Sequence, residues 1–408
     1  MRPDRAAATA AVAGAGRRRH PGGRVAVVLV NWNGAADTLA TLASLDRCSA
    51  APAGAAGVGV APSAAARAAT GAAQEVPTGA RVAGAAPSGA VGGAEAAAAG
   101  GAAQAAGAAP DGAGPPPTLF PIVVDNGSSD DSVARLRRER PGLAVIESGA
   151  NLGFAGGNEV GIRRALADPE VRWVLLLNTD VELDPGFLPP LLAACADPAV
   201  GAAGPKIFYQ EPPDRIWAAG GRLRIRETVT EEFGRGQPDG PRFSRPADVT
   251  YLTTCCLLVP RDALERVGPL DPAYFINVDD ADWCRRALDA GYRLRYVPES
   301  RVWHKVAAAT GGGYTPGKTF HTARSNAVYV RRHAGPAGLA GFLAANLLAL
   351  PVAWLRELPR GNARAVAAKA RGLLRGLREP LPPPPRGLAA RPAEDGDSET
   401  RDSTGETP

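Results

Sequence analysis

Aromatic residues are scarce, at 5% of the chain, and alanine inflates the 45% hydrophobic share. The packed core is therefore expected to be smaller than 408 residues would allow. Cysteine is sparse as well. The five residues (Cys48, Cys195, Cys255, Cys256, Cys284) are odd in number and form no CxxC pair. A disulfide framework or thiolate zinc site is thereby excluded, and a reducing cytoplasm fits. No GxGxxG follows the first apolar strand, which argues against a nicotinamide dehydrogenase. No block of like charge occurs. The net charge of +5 is spread as arginine, which suits weak attraction to phosphates or anionic lipid rather than nucleic-acid binding. Residues 6–16 are rich in Ala and Gly without leucine, and Arg17, Arg18 and Arg19 follow, so a secretory signal is not expected.

Three stretches have little to bury. Residues 1–23 read as a disordered basic arm, 48–117 as a disordered Ala/Gly-rich insert and 380–408 as a disordered Pro-rich, then acidic, tail. Between them, strand, turn and helix repeat about four times. Predicted strands are Arg24–Val30, Phe120–Val124, Leu143–Ile146 and Val174–Leu177. Predicted helices are Asp37–Leu45, Ser132–Glu139, Glu159–Ala167 and one begun near Pro185. Each turn at a strand's carboxyl end is polar or glycine-rich, the grammar of a doubly wound α/β nucleotide-binding half. After Gly201 the expectations are an irregular stretch or short hairpin over 209–244 and a strand at Val249–Val259. A short helix Arg261–Val267, a helix Trp283–Ala290 and strands Arg293–Val297 and Arg301–His304 follow. The C-terminal part is a mobile glycine-rich loop Gly311–Lys318, a helix Phe320–His333 and an apolar segment Gly338–Trp354.

Candidate chemistry gathers at the turns. Asn178, Thr179, Asp180, Glu182 and Asp184 follow the most apolar strand, where a loop carboxylate can hold Mg²⁺ or Mn²⁺ with substrate phosphates, or else cap the next helix. Asp125–Asp130 suits either an Asx-turn with a helix cap or a base or ribose contact. Gly153, Gly156 and Gly157 beside Asn158 open a helix, where bare amides suit a diphosphate. Asp279, Asp280 and Asp282 sit amid Phe275, Ile276, Val278 and Trp283, an apolar setting that raises a carboxylate toward general-base duty. His304 is either structural or a metal ligand. His321 and His333, with Arg324, Arg331 and Arg332, fit surface or phosphate contacts.

Six segments, VLVNWNG (Val28–Gly34), VVDNGSSD (Val123–Asp130), NLGFAGGN (Asn151–Asn158), LLLNTD (Leu175–Asp180), FINVDDADWCRRALDAGY (Phe275–Tyr292) and VPESRVWH (Val297–His304), resemble glycosyltransferase family 2 in their order and spacing. HTARSNAVYVRRH (His321–His333) resembles that family's closing arginine-asparagine helix. The likeness spans about Val25–His333 without the insert, and its branch is the rhamnosyltransferase-like bacterial one. It implies a GT-A-type α/β domain over 24–333 with a contiguous acceptor half, followed by an apolar and basic helical segment at 334–379.

The same resemblance implies an inverting, metal-dependent transfer from a nucleoside-diphosphate sugar to a hydroxyl. Asn31, Asn33 and Asp125 would hold base and ribose, and Asn126, Gly153, Gly156, Asn158, Asn178 and Arg324 would make further donor contacts. Asp180 stands at the family's metal-binding DXD, His304 at a histidine that completes the metal site in some relatives, and Asp280 at the base, with Asp279 beside it. The chain departs from the pattern in the insert, in Asn178-Thr179-Asp180 where two aspartates flank one residue, and in Asp279 for the commoner glutamate. No QxxRW occurs, which argues against a processive synthase. The branch suggests dTDP-rhamnose and a lipid-linked cell-envelope acceptor, hence a cytoplasmic enzyme touching the inner face of the plasma membrane peripherally. A sugar-nucleotidyltransferase is the rival reading, but it calls for a GxGTR-type loop where Asn31-Trp32-Asn33-Gly34 stands. A catalytically silent nucleotide-sugar-binding protein would keep the turns and need no base.

Overall fold

The computed structural model describes residues 19, 23–50, 117–306 and 315–388. Most of the expected arm, positions 51–116 of the expected insert, residues 307–314 (including 311–314 of the expected glycine-rich loop) and the tail beyond 388 lie outside the described residues.

Four parallel strands form one half of the sheet: β1 (Arg24–Asn31), β2 (Thr118–Asp125), β3 (Ala144–Glu147) and β4 (Val171–Leu177), in the order β3-β2-β1-β4. β1 and β4 are runs of Val and Leu without polar alternation, as strands covered on both faces require. Val25, Val27 and Leu29 join one apolar layer with α1 (Ala35–Ala50) and α2 (Ser132–Glu139). Ala26 and Val28 join the other with α3 (Gly153–Leu166). A β-strand alternates its side chains, so one apolar run feeds both layers.

The second half mixes directions. β5 (Val181–Leu183) follows β4 almost at once, then α4 (Leu188–Cys195) and β6 (Val200–Tyr209). β7 (Ile216–Ala218) edges β6, and β8 (Gly221–Leu223) and β9 (Thr230–Glu232) make a separate hairpin, in line with the hairpin expected over 209–244. β10 (Ala247–Val249), β11 (Cys256–Pro260), α5 (Arg261–Val267), α6 (Asp279–Asp289) and β12 (Arg293–His304) complete the domain. β11 inserts antiparallel between β4 and β6, and β12 runs parallel to β6 while pairing antiparallel with β5. That last pairing carries His304 to the end of β4.

Several boundaries differ from expectation. The predicted strand Val249–Val259 is two strands, because residues 250–255 turn away to reach α6. The two strands predicted around Arg293–His304 are one, with an irregularity between Val297 and Arg301. α3 starts at Gly153 rather than Glu159, and α6 at Asp279 rather than Trp283, so all three aspartates of that cluster lie in the first turn of α6.

The C-terminal helices are α7 (Pro316–His333), α8 (Pro336–Glu357) and α9 (Ala363–Arg378). α9 lies against α7 at close quarters, with Gly372 against the Phe320 backbone and Gly376 against Arg324. A Cβ at Gly372 would stand 2.1 Å from the Phe320 carbonyl oxygen, so Gly372→Leu is expected to separate the two helices and lower the melting temperature, read by calorimetry. Residues 380–388, the described start of the expected tail, carry no helix or strand but touch the domain. Arg332 donates to the Pro382 carbonyl at 2.8 Å, and Gly387 approaches the Glu265 carbonyl too closely to admit a side chain.

Candidate active site

β1 and β2 end level, with Asn31 beside Asp125, and their turns are stitched together. Asn31 Nδ2 donates to Asp125 Oδ1 at 2.9 Å, and Thr38 Oγ1 donates to Asn31 Oδ1 at 2.8 Å. Asp125 also accepts from the Ser128 amide at 3.0 Å and from its hydroxyl at 2.6 Å. Asn33, at φ +50°, accepts from the Ser129 amide at 2.8 Å and donates its own amide to Ser128 Oγ at 2.9 Å. Asn126 Nδ2 donates to the Gly153 carbonyl at 2.9 Å. Asn31, Asp125 and Asn126 are buried, so they first of all build the sheet's carboxyl edge. Trp32, between Asn31 and Asn33, is left exposed there.

The start of α3 does not match the diphosphate cradle expected of Gly153, Gly156 and Asn158. A helix's first amides attract anions only if nothing else has taken them. Here the Leu152 amide donates to Asn126 Oδ1 at 3.0 Å and the Gly153 amide to Asn151 Oδ1 at 2.9 Å. The Phe154 and Ala155 amides both donate to the Phe275 carbonyl, at 2.6 and 3.4 Å. The glycines serve packing instead. Gly153 has φ +75° under the Phe275 ring, and a Cβ at Gly157 or Gly161 would strike Val30 or Val28 of β1 at 2.7 and 2.3 Å. Asn158 turns back to the Phe154 carbonyl.

At the end of β4, Asp180 Oδ1 lies 3.1 Å from His304 Nε2, and Asn178 Nδ2 lies 3.4 Å from the same nitrogen. Trp217 holds the imidazole edge-on, with ring centroids 4.7 Å apart. Buried Asn178 Oδ1 and His304 Nδ1 have no hydrogen-bond partner. Glu182 does not share this corner. It pairs with Arg47 of α1 at 3.5 Å, two residues beyond Asp180 on β5. Among the described residues no three His, Cys, Asp or Glu side chains converge as a closed metal site. One carboxylate, one imidazole and an unpartnered amide oxygen fit an open site for Mg²⁺ or Mn²⁺, in which phosphate oxygens supply the remaining ligands.

Residues 250–255 join this corner to α6. The Cys255 carbonyl accepts from the Asn178 amide at 2.9 Å, and Tyr251 OH donates to Asp280 Oδ2 at 2.7 Å. Asp280 Oδ1 accepts from the Ala281 amide at 2.8 Å, and the Thr253 side chain adds another bond. Burial pushes Asp280 up to about 6, and Glu232 of β9 pushes the same way against those bonds. Burial, then the charge of Asp280, raises Asp279 well above the carboxylate range, and its buried Oδ2 has no partner. Asp282 lies in the first turn of α6, fully buried, and joins a structural ion cluster. His333 Nε2 is 2.7 Å from Asp282 Oδ1, Arg286 Nε 2.7 Å from Oδ2, and Tyr274 OH donates at 3.0 Å. Burial resists its ionisation, but His333 and Arg286 outweigh that and hold it near 2.

Asp282→Asn is therefore expected to cost stability, about 3 kcal/mol or more, by leaving the buried Arg286 guanidinium without its carboxylate and breaking the His333 bond. The folded pKa lies below the ordinary one, so Asp282's contribution is present above about pH 4 and fades as pH falls toward 2. Denaturant melts of wild type and variant at pH 7 and pH 3 should converge in acid.

Arg324 is not brought to the donor turns. Its guanidinium pairs with Glu379 at 2.7 Å and donates to the Ala273 carbonyl at 2.9 Å, which fastens the end of α9 to α7. His321 stacks on Phe275 with centroids 4.9 Å apart, and His333 belongs to the Asp282 cluster.

The family model described as glycosyl transferase family 2 matches residues 119–268. An N-acetylglucosaminyl-diphospho-decaprenol L-rhamnosyltransferase of Mycobacterium tuberculosis is 30% identical over 237 residues, covering 52% of this chain and 75% of the relative. The chain belongs to glycosyl transferase family 2. A pre-mycofactocin glycosyltransferase of the same organism is 28% identical over 192 residues, covering 45% of this chain and 37% of that one. Among solved structures, a mannosyltransferase from Pyrobaculum calidifontis, in complex with GDP-Man and Mn²⁺, aligns at 16% identity and TM-score 0.43 over 92% of this chain and 98% of its own.

Membership makes this chain a glycosyltransferase with a GT-A-type sheet and sets aside the nucleotidyltransferase and silent-binder readings. Within the family frame, the sequence reading missed Tyr251, Thr253 and Glu232. Tyr251 and Thr253 fall within the predicted strand Val249–Val259 and Glu232 within the stretch 209–244, and only the fold turns them toward Asp280. The matched span ends at 268, before the Asp279–Asp280 pair. Geometry rather than the family match therefore links that pair to Asp180.

Proposed function

We propose that the chain catalyses an inverting transfer of a sugar, L-rhamnose, from its nucleoside diphosphate (dTDP-rhamnose) to a hydroxyl of a lipid-linked cell-envelope glycan. It would act at the cytoplasmic face of the plasma membrane, in peripheral contact with it. The observation that carries this reading is a buried carboxylate near pKa 6, Asp280, tied through residues 250–255 to the Asp180–His304 corner. A base poised near neutrality beside a cation corner is what attack by a hydroxyl on a phosphate-activated carbon requires. The name of the mycobacterial relative supports the sugar and the polyprenyl-linked acceptor.

In this reading Asp280 takes the acceptor proton as the oxygen attacks the anomeric carbon, from the side opposite the departing diphosphate. Tyr251 and Thr253 hold the carboxylate in place. Burial and the charge of Asp280 both disfavour ionisation of Asp279, which leaves Asp280 as the base of the pair. Asp180 and His304 would hold Mg²⁺ or Mn²⁺, with Asn178 at its edge. When bound, the cation offsets charge growing on the leaving diphosphate. The carboxyl edge built by Asn31, Asn33, Asp125 and Asn126, with exposed Trp32, is the proposed base and ribose platform.

The test is a donor panel with purified protein, reading nucleoside-diphosphate release with and without polyprenyl-diphospho-N-acetylglucosamine. Release dependent on both dTDP-rhamnose and that acceptor is expected. Equal release from any other donor would remove the rhamnose assignment.

A further inference from the structure

α8 is apolar and uncharged from Pro336 to Leu355, yet little of it is covered. Phe342 and Asn346 face inward, while Leu347, Leu348, Val352 and Leu355 are 63–74% exposed and Trp354 is 43% exposed. By length and hydropathy it qualifies as a membrane span. Its neighbours rule that out. The Ala365 carbonyl, at the start of α9, accepts from Thr319 near the start of α7. Gly376 meets Arg324, and the Gly376 and Glu379 carbonyls accept from Arg331 at the end of α7. α7 and α9 are thus packed parallel, and α8 is the return stroke between them. Its 22 residues reach about 33 Å, enough to retrace α7 but unable to cross a bilayer while both its ends stay on one domain.

We propose that α8 lies in the plane of an anionic bilayer, with its Leu347, Leu348, Val352 and Leu355 face in the acyl boundary. A helix of this kind needs an apolar face beside cationic flanks. Arg360, Arg364, Arg371 and Arg378 supply them, while Arg356 and Arg375 pair with Glu357 and Glu379, and no acidic residue occurs from Gly361 to Arg378. Trp354 sits at the charged end, where an indole suits the headgroup level. Near its other end α8 meets the β8–β9 hairpin, with Gly338 beside Ile225, and Glu232 of that hairpin acts on Asp280. The bilayer contact and the general base therefore flank the same hairpin. This deepens the lipid-linked acceptor reading and rests on it for its purpose, but vesicle binding needs neither donor nor acceptor.

The test uses the full chain with phosphatidylcholine vesicles, with and without phosphatidylglycerol, by sedimentation. Binding to the anionic vesicles, weakened by high salt and stripped by alkaline carbonate, is expected. The triple variant Leu347→Glu, Leu348→Glu, Leu355→Glu should keep its melting temperature and lose vesicle affinity by at least ~100-fold. No binding by the wild-type chain, binding unchanged in the variant, or release only by detergent would each overturn the in-plane helix. So would a dimer that the same variant dissociates while vesicles capture neither form, since a second copy would then own the face. A failed donor panel with intact vesicle binding would instead strike the transfer reading alone.

Discussion

Asp280→Asn is expected to lower transfer by roughly 10²–10⁴-fold, the usual weight of a general base, while donor affinity barely changes. The amide keeps the size of the side chain and can still accept from Tyr251, so the pocket should persist. What disappears is the site for the acceptor's proton. Wild-type kcat/KM should fall as pH drops through about 6, because the carboxylate is then protonated, and the variant should lack that limb. Stability should move the other way. A buried carboxyl raised to about 6 penalises the folded state once it ionises, so removing its charge is expected to add on the order of 2–3 kcal/mol at pH 7. A variant that is inactive and also less stable would mean that Asp280 is structural. Near-normal turnover would remove it from the chemistry altogether.

Asp180→Ala should abolish measurable transfer, and excess chelator should do the same to the wild type. Either change leaves the diphosphate without its counter-charge at the moment of departure. The fold should survive, since Asp180 lies in a turn and its bond to His304 is one interaction at the sheet's edge. His304→Ala should be milder if the carboxylate supplies most of the affinity. Titration with Mn²⁺ should then restore much of the activity in His304→Ala and none in Asp180→Ala. Full activity in chelator would refute the cation while leaving the family and fold untouched.

The parallel half of the sheet was legible because its signal is local. A run such as Val174–Leu177, closed by a polar turn, can be buried only as a strand covered on both sides. Residue type marks Asp180 and His304 each as a possible cation ligand, but 124 residues separate them and no local pattern pairs them. The antiparallel register of β5 on β12 is what makes them neighbours.

Misreadings came where one residue type serves two physical ends. The glycines of α3 look alike whether backbone must approach a phosphate or Val28 and Val30, and only the strand beneath decides. Arg324 looks free for phosphate until α9 brings Glu379 to it. Asp280 and Asp282 share one helical turn and one composition. Sequence determined that buried carboxylates would open α6's acidic cluster. Tertiary structure alone divided them, by giving Asp282 the Arg286 guanidinium and a His333 bond and Asp280 only neutral donors, so one carboxylate is fixed as an ion and the other is left able to take a proton.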